Sequence, residues 1–263
     1  MNQLAASLML LVATLASGSP ALSDAIEEVA LDMASSSFDD QYRGCGRWMQ
    51  EELAELNDTE FSLNPLYAEA WTVATREWRS RRGHRALRPE LAVAILAYTW
   101  DGALFRAFNA AVREAGSSRQ RYLGSFHFKV LHFLLSEALR VLRRTPSYQL
   151  GYQRGYQRCY QVYRGVKGVR FSGRRDQLVR LGHFTSASLR EESARGFGQD
   201  TLFRLESCYG VPVRDFSFFA AEEEVLVPPY EVFQVANASR RGAGVTIELR
   251  SAGAFSAYNC EWV

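Results

Sequence analysis

The hydrophobic pattern of this chain changes period near its middle. The segments "NPLYAEAWTVATREWRSRR", "PELAVAILAYTW", "DGALFRAFNAAVREAG" and "FHFKVLHFLLSEALRVLRR" combine helix formers with helical apolar spacing. The third opens on a candidate cap, Asp101, and closes at Gly116. The fourth has apolar residues around more than half its circumference and basic residues in its last turn. From Gln161 onward the chain reads instead as short β-rich runs punctuated by Gly, Ser and Asp: "QVYRGV", "RLGHFTSASL", "DFSFF", "EEVLVPP", "YEVFQVANAS" and "VTIELRS". A helical N-terminal part attached to an antiparallel sheet is an α+β fold. Between the two lies "YQLGYQRGYQRCYQ", where Tyr148, Tyr152, Tyr156 and Tyr160 recur every four residues. It reads as a local tandem expansion in a connecting loop, and no function is assigned to it.

The first residues stand apart. An apolar run from Leu8 to Leu15, followed by small residues, reads as a secretory signal over 1–23, too short to span a bilayer. The remainder, 24–263, is expected to form one domain, since a chain with 47% hydrophobic residues has ample material for a core. The four cysteines, Cys45, Cys159, Cys208 and Cys260, all lie beyond the signal. An even number in an exported chain points to two disulfides, with the connectivity open. Asn57 in "NDT" and Asn237 in "NAS" are candidate glycosylation sites. The terminal "YNCEWV" lacks the spacer and tail of a lipid-anchor signal. The expectation is therefore a monomeric secreted protein, extracellular or in a granule lumen, without a membrane anchor. A net charge of +2 gives no case for nucleic acid.

Common catalytic signatures are missing. No Gly-rich phosphate loop, G-x-S-x-G elbow or zinc-type Cys/His spacing occurs, so no metal is expected. The acidic triplet in "SFFAAEEEVLVPP" is the strongest remaining feature. Read as a strand, it sets Glu222, Glu224 and Leu226 on one face and Glu223, Val225 and Val227 on the other. Two carboxylates sharing a face suit a solvated strand end, and equally a site that stabilises a developing cation; spacing does not choose between them. Arg164 in "VYRG" suits a phosphate or carboxylate clamp, or a surface ion pair. Ser186 and Ser188 in "FTSAS" share a strand face, where strand-edge hydroxyls are ordinary.

Their order along the chain is more informative. Arg164, then "FTSAS", then "EEEVLVPP" resembles the arginine–serine–glutamate signature of the arginine-specific ecto-mono-ADP-ribosyltransferases of vertebrates. "ALDMASSSFDDQYRGC", "AYTW", "FNAAVREAG", "FHFKVLHFLLSEAL", "YEVFQVANAS" and "YNCE" extend the resemblance over nearly the whole chain after the signal. It implies the ADP-ribosyltransferase fold, a split α+β core of two packed, antiparallel-rich β-sheets with a helical N-terminal region.

The resemblance also implies an activity. NAD, or NADP in its place, would serve as co-substrate, with no permanently bound cofactor. ADP-ribose would pass to the guanidinium of an arginine on acceptor proteins, or to small guanidino compounds, with release of nicotinamide. By similarity, Arg164 would contact the donor's phosphates and nicotinamide ribose. Ser186 would support the nicotinamide pocket and position the catalytic carboxylate, Glu224, while Glu222 would orient the acceptor arginine. Tyr98 and Ser217 match positions that contact NAD in the family. The implied disulfides are Cys45 with Cys260 and Cys159 with Cys208. One departure is His183, where many members carry Gln three residues before the signature serine. The competing readings are an NAD glycohydrolase using the same site and an inert exported binding domain; the intact Arg164, Ser186 and glutamates weigh against the second.

Overall fold

The structure, a computed structural model, describes residues 26–81, 86–100, 103–148, 152–154 and 157–261. The expected signal segment, Asp101 and Tyr156 lie outside them. Strand β1 (Glu27–Ala30) precedes helices α1 (Gly46–Leu63), α2 (Pro65–Ser80), α3 (Pro89–Thr99), α4 (Leu104–Ala115), α5 (Arg119–Ser125) and α6 (Lys129–Arg144). Then follow β2 (Tyr152–Arg154), β3 (Gln157–Val166), β4 (Val169–Ser172), β5 (Leu178–Arg180), β6 (Thr185–Ser188) and the short helix α7 (Glu191–Gly196). The chain ends with β7 (Thr201–Ser207), β8 (Val211–Pro212), β9 (Glu224–Val227), β10 (Glu231–Arg241) and β11 (Gly244–Ala254).

The four expected helices are α2, α3, α4 and α6, and each start has a local cause. Asn64 caps α2, its side chain accepting from Tyr67 N at 3.1 Å, and Pro65 supplies the fixed φ of a first helical position. Helix α4 begins at Leu104 after Ala103, with no side-chain cap. Asp101, the expected cap, lies outside the described residues. Helix α6 lacks a cap of its own; Glu60, from α1, takes its first free amides, Lys129 N at 2.6 Å and Val130 N at 3.0 Å. Helix α1 has no counterpart among the expected helices, because it buries only Met49, Leu56 and Glu60 and shows little apolar stripe.

One expected strand is not one. In "DFSFF", Arg214–Phe216 form a single 3-10 turn and Ser217 and Phe218 follow without a ladder. Phe216 is fully buried against Trp78 and Tyr148, and this packing overrides the aromatic β preference.

Strands β1 and β4 form a small parallel ribbon. The others form one path in the order β5-β10-β11-β7-β3-β6-β9-β8, with β2 paired off β3, antiparallel except between β11 and β7. The path is nearly cut in two: β3 and β6 share one paired position, Tyr163 with Ser188. This is the split between a large and a small half-sheet. The helices bury their apolar faces together with Phe184, Val211, Val213, Phe216 and Leu226 from the small half. A second core joins Val162, Phe203, Leu205, Val225, Val227 and Ile247. Strand β9 lies between the two cores and is buried on both faces, which is why it reads as a continuous apolar run.

Disulfides close the periphery. Cys45 is bonded to Cys260, with Cα atoms 5.9 Å apart, tying the start of α1 to the chain end. Cys159 in β3 is bonded to Cys208, which follows β7. Of the candidate glycosylation positions, Asn237 is exposed at a bulge in β10, whereas Asn57 lies in α1 with its carbonyl taken by Tyr67 OH at 2.8 Å. No single helix among the described residues is long and apolar enough to cross a membrane.

Candidate active site

The site forms where β3 and β6 part. Beyond the Tyr163–Ser188 pair the strands diverge, and Arg164 bridges the gap, its Nη1 donating to Ser186 O at 2.7 Å. Across β6, Ser186 is paired with Leu226 and Ser188 with Glu224. Ser186 is therefore a diagonal neighbour of Glu224 on the same sheet face, close enough for its hydroxyl to bond the carboxylate. A second hydroxyl arrives from outside the sheet: Ser217 Oγ donates to Glu224 Oε2 at 3.0 Å and accepts from Phe219 N at 3.0 Å.

Glu224 is only 5% exposed. Burial pushes its carboxyl above the usual range, and the charge of Glu222 pushes the same way; the two serine hydroxyls and Arg164 oppose the shift by favouring the anion. The site thus holds a carboxylate that water would hold more easily.

The route by which Glu222 reaches Glu224 differs from the expected alternation. Glu222 is not in the strand. It ends a 3-10 turn, Ala220–Glu222, and Glu223 follows in left-handed conformation at φ 49° and ψ 48°; the strand starts at Glu224. A reversal through Glu223, rather than two-residue periodicity, brings the charge of Glu222 near enough to act on Glu224. The backbone of all three glutamates is held: Ser188 Oγ donates to Glu222 O at 2.6 Å, Leu189 N to Glu223 O at 3.1 Å and Val213 N to Glu224 O at 2.9 Å. Ser188 thus supports the turn, while its neighbour two residues back faces the carboxylate.

Tyr98 lies beneath the site and is 3% exposed. Its hydroxyl donates to Phe184 O at 2.8 Å and accepts from Asn109 Nδ2 at 3.1 Å; burial is the main cause of its raised pKa. His183 is kept neutral, its pKa pushed down to about 3 by burial and by Arg113 and Arg164 nearby. Its Nδ1 lies 2.7 Å from Phe184 O, so that nitrogen carries the proton.

Arg113 and Asn109 are site residues that the sequence reading passes over. Both stand on α4, four residues apart and so on one helix face, a spacing visible in "FNAAVREAG". Burial and the charge of Arg164 together depress the Arg113 guanidinium. Asn109 is buried, and its Oδ1 has no partner among the described residues. Two guanidinium groups, a neutral imidazole and the Glu224 carboxylate, with the charge of Glu222 acting on it, thus gather around the β3–β6 split. Among the described residues no group of three or more His, Cys, Asp or Glu could hold a metal ion.

Comparison with known proteins agrees with this geometry. A family model described as NAD:arginine ADP-ribosyltransferase matches residues 31–257. The chain is 47% identical over 262 residues to the erythroblast NAD(P)(+)–arginine ADP-ribosyltransferase of Gallus gallus, covering 97% of this chain and 84% of that one. It is also 47% identical over 255 residues to the GPI-linked NAD(P)(+)–arginine ADP-ribosyltransferase 1 of Homo sapiens, covering 90% and 75%. Among solved structures, a variant of the eukaryotic mono-ADP-ribosyltransferase ART2.2 in complex with NAD superposes with a TM-score of 0.74 at 34% identity, covering 89% of this chain and all of that one. With the match running from the end of β1 to the last residues before Cys260, the chain belongs to the NAD:arginine ADP-ribosyltransferase family.

Proposed function

We propose that the protein moves ADP-ribose from NAD to the guanidinium of arginine on acceptor proteins and releases nicotinamide, with residues 24–263 as one catalytic unit. The observation that carries this reading is the buried Glu224 carboxylate, bonded by Ser217 and Ser186 and adjacent to Glu222. NAD, or NADP, is the co-substrate. The nicotinamide ring nitrogen of NAD is already cationic and takes the bonding pair as the group leaves neutral, so its departure needs no general acid. The sugar left behind carries the positive charge, and Glu224, fixed by its serine donors, accepts a ribose hydroxyl hydrogen bond and opposes that charge. Loss of such a preorganised group costs on the order of 10²–10³ in rate. The bond from nicotinamide nitrogen to the ribose breaks, and a bond from an arginine nitrogen to the same carbon forms. A guanidinium with a pKa above about 12 is a poor nucleophile, and Glu222 orients it and takes its proton. Arg164, with Arg113 beside it, supplies positive charge for the diphosphate, and Ser186 supports the nicotinamide end. Tyr98 acts from below, holding Phe184 and Asn109.

Purified protein incubated with labelled NAD and agmatine gives an adduct, and Glu224→Gln abolishes it. Nicotinamide release without adduct would favour a glycohydrolase, and a folded protein that consumes no NAD would defeat both enzymatic readings. Two disulfides fit an oxidising, extracellular compartment. Within it we read a secreted monomer acting on arginine-bearing proteins outside the cell. GPI-linked relatives make anchorage the competing outcome, and release of cell-bound protein by a phosphatidylinositol-specific phospholipase would decide for it.

A further inference from the structure

The hydroxyl that bonds Glu224 comes from a segment with no secondary structure of its own to hold it. Ser217 lies between a single 3-10 turn and an irregular stretch, so the carbonyls around it need donors from elsewhere. They find them in one side chain. Arg81 is the C-cap of α2, with extended backbone that carries its side chain off the helix end. Its Nη1 donates to Asp215 O at 3.2 Å and its Nη2 to Ser217 O at 2.9 Å. Its Nε is bonded to Glu77 Oε1 at 2.8 Å, one helical turn back, which fixes the plane of the fork. Only a guanidinium reaches two carbonyls two residues apart while holding a third partner; an ammonium has neither the width nor the planarity.

The far side of the segment is also held. Thr99, next to Tyr98 at the end of α3, accepts from Phe218 N at 3.3 Å. Tyr148 OH donates to Asp215 Oδ2 at 3.0 Å with its ring against Phe216, and Tyr160 OH donates to Tyr148 O at 2.6 Å. The first and last members of the tyrosine recurrence thereby stand behind the same turn. Arg81 is the contact that acts on Ser217 itself.

We propose that Arg81 is a positioning residue for the reaction, setting the Ser217 hydroxyl against the Glu224 carboxylate without touching either substrate. The inference rests on the transferase reading of Glu224. Loss of Arg81 leaves Ser217 O without its donor, the segment shifts, and Glu224 loses part of one of its two hydroxyl bonds. The groups facing Glu224 are then Ser186, Glu222, Arg164 and Tyr98, of which Glu222 and burial favour protonation. The acid limb of the rate profile therefore moves to higher pH.

The test uses the whole protein and four variants, Arg81→Met, Arg81→Lys, Ser217→Ala and the double variant Arg81→Met/Ser217→Ala, with NAD turnover on agmatine followed from about pH 5 to about pH 9. Arg81→Met is expected to lower kcat on the order of tenfold to a hundredfold, with KM for NAD within about twofold and the acid limb displaced upward. Arg81→Lys recovers part of the loss. In the Ser217→Ala background, Arg81→Met adds nothing further, because the hydroxyl it acts through is gone. Additive losses, or a kcat loss with the acid limb unmoved, would overturn the inference, as would a wild-type rate in Arg81→Met. If Arg81→Met does not fold, the same cycle run with Arg81→Lys decides by the same criteria. Glu224→Gln, assayed alongside, separates the two levels. If it is inactive while Arg81 and Ser217 act independently, only the positioning role fails; if it turns over NAD at the wild-type rate, the transferase reading fails with it.

Discussion

Arg214 Nη1 donates to Glu223 Oε1 at 2.8 Å, and Glu223 is the left-handed residue that turns the chain between Glu222 and Glu224. The middle glutamate of the triplet is thus a hinge, pinned to the 3-10 turn that precedes Ser217.

The hinge depends on backbone conformation more than on charge. The ion pair is partly exposed, with 57% and 30% of the two side chains accessible, and such pairs contribute about 0–1 kcal/mol. Glu223→Gly, which accepts φ 49° freely, is expected to stay within about 1 kcal/mol of wild type and to keep its activity. Glu223→Val forces a β-branched side chain into that region, costs about 1–3 kcal/mol and lowers transfer. Urea unfolding with the agmatine assay checks both; a valine variant indistinguishable from wild type would remove the hinge argument.

Glu224 is expected to trade stability for function. Its folded-state pKa is raised, so the folded protein binds the proton more tightly than the unfolded chain does. Its contribution to stability is complete below the unfolded glutamate range and is lost as pH rises through the folded value. Glu224→Gln carries no such charge. The inactive variant should melt above wild type at pH values where Glu224 is ionised, and the difference should close on acidification. Equal melting curves at every pH would contradict the burial argument.

Glu222 is expected to govern the acceptor and not the donor. Glu222→Gln should lower agmatine adduct on the order of 10²-fold while nicotinamide release persists, so the ratio of hydrolysis to transfer rises. Quantifying both products in one reaction measures it. Undiminished adduct would rule out the acceptor role.

Glu60 connects the helical core to pH. Burial pushes it up to about 7, against the two α6 amides it caps and the nearby Lys129. A raised carboxylate means that stability falls as pH rises from the ordinary glutamate range to about 7. Glu60→Gln should flatten that part of the unfolding free energy profile, read by denaturant titration at successive pH values. Parallel profiles for the two proteins would show that Glu60 does not titrate there.

Much of the fold was legible because it rests on local pattern. Helices α2, α3, α4 and α6 announce themselves by apolar spacing, and β3, β6, β9, β10 and β11 by β-rich runs between turns. The order of Arg164, Ser186 and Glu224 is a property of the sequence, and the structure brings these three together across the β3–β6 split. Strand reading failed at "DFSFF", where aromatic content spoke for a strand and burial of Phe216 decided for a turn.

The sequence by itself determined which segments carry each period, which carboxylates are available and in what order the chain presents them. Tertiary structure decided which of those groups meet. Glu60 caps a helix that begins 69 residues later, Arg81 reaches a carbonyl 136 residues away, and Asn109 finds Tyr98 across the α3–α4 corner. Glu222 joins Glu224 through one left-handed residue, which alternation has no means of expressing. The physical reason is common to all of them. Periodicity reports which side of an element is apolar, whereas a hydrogen bond or a charge pair depends on where the chain returns in space, and that is set only when the cores close.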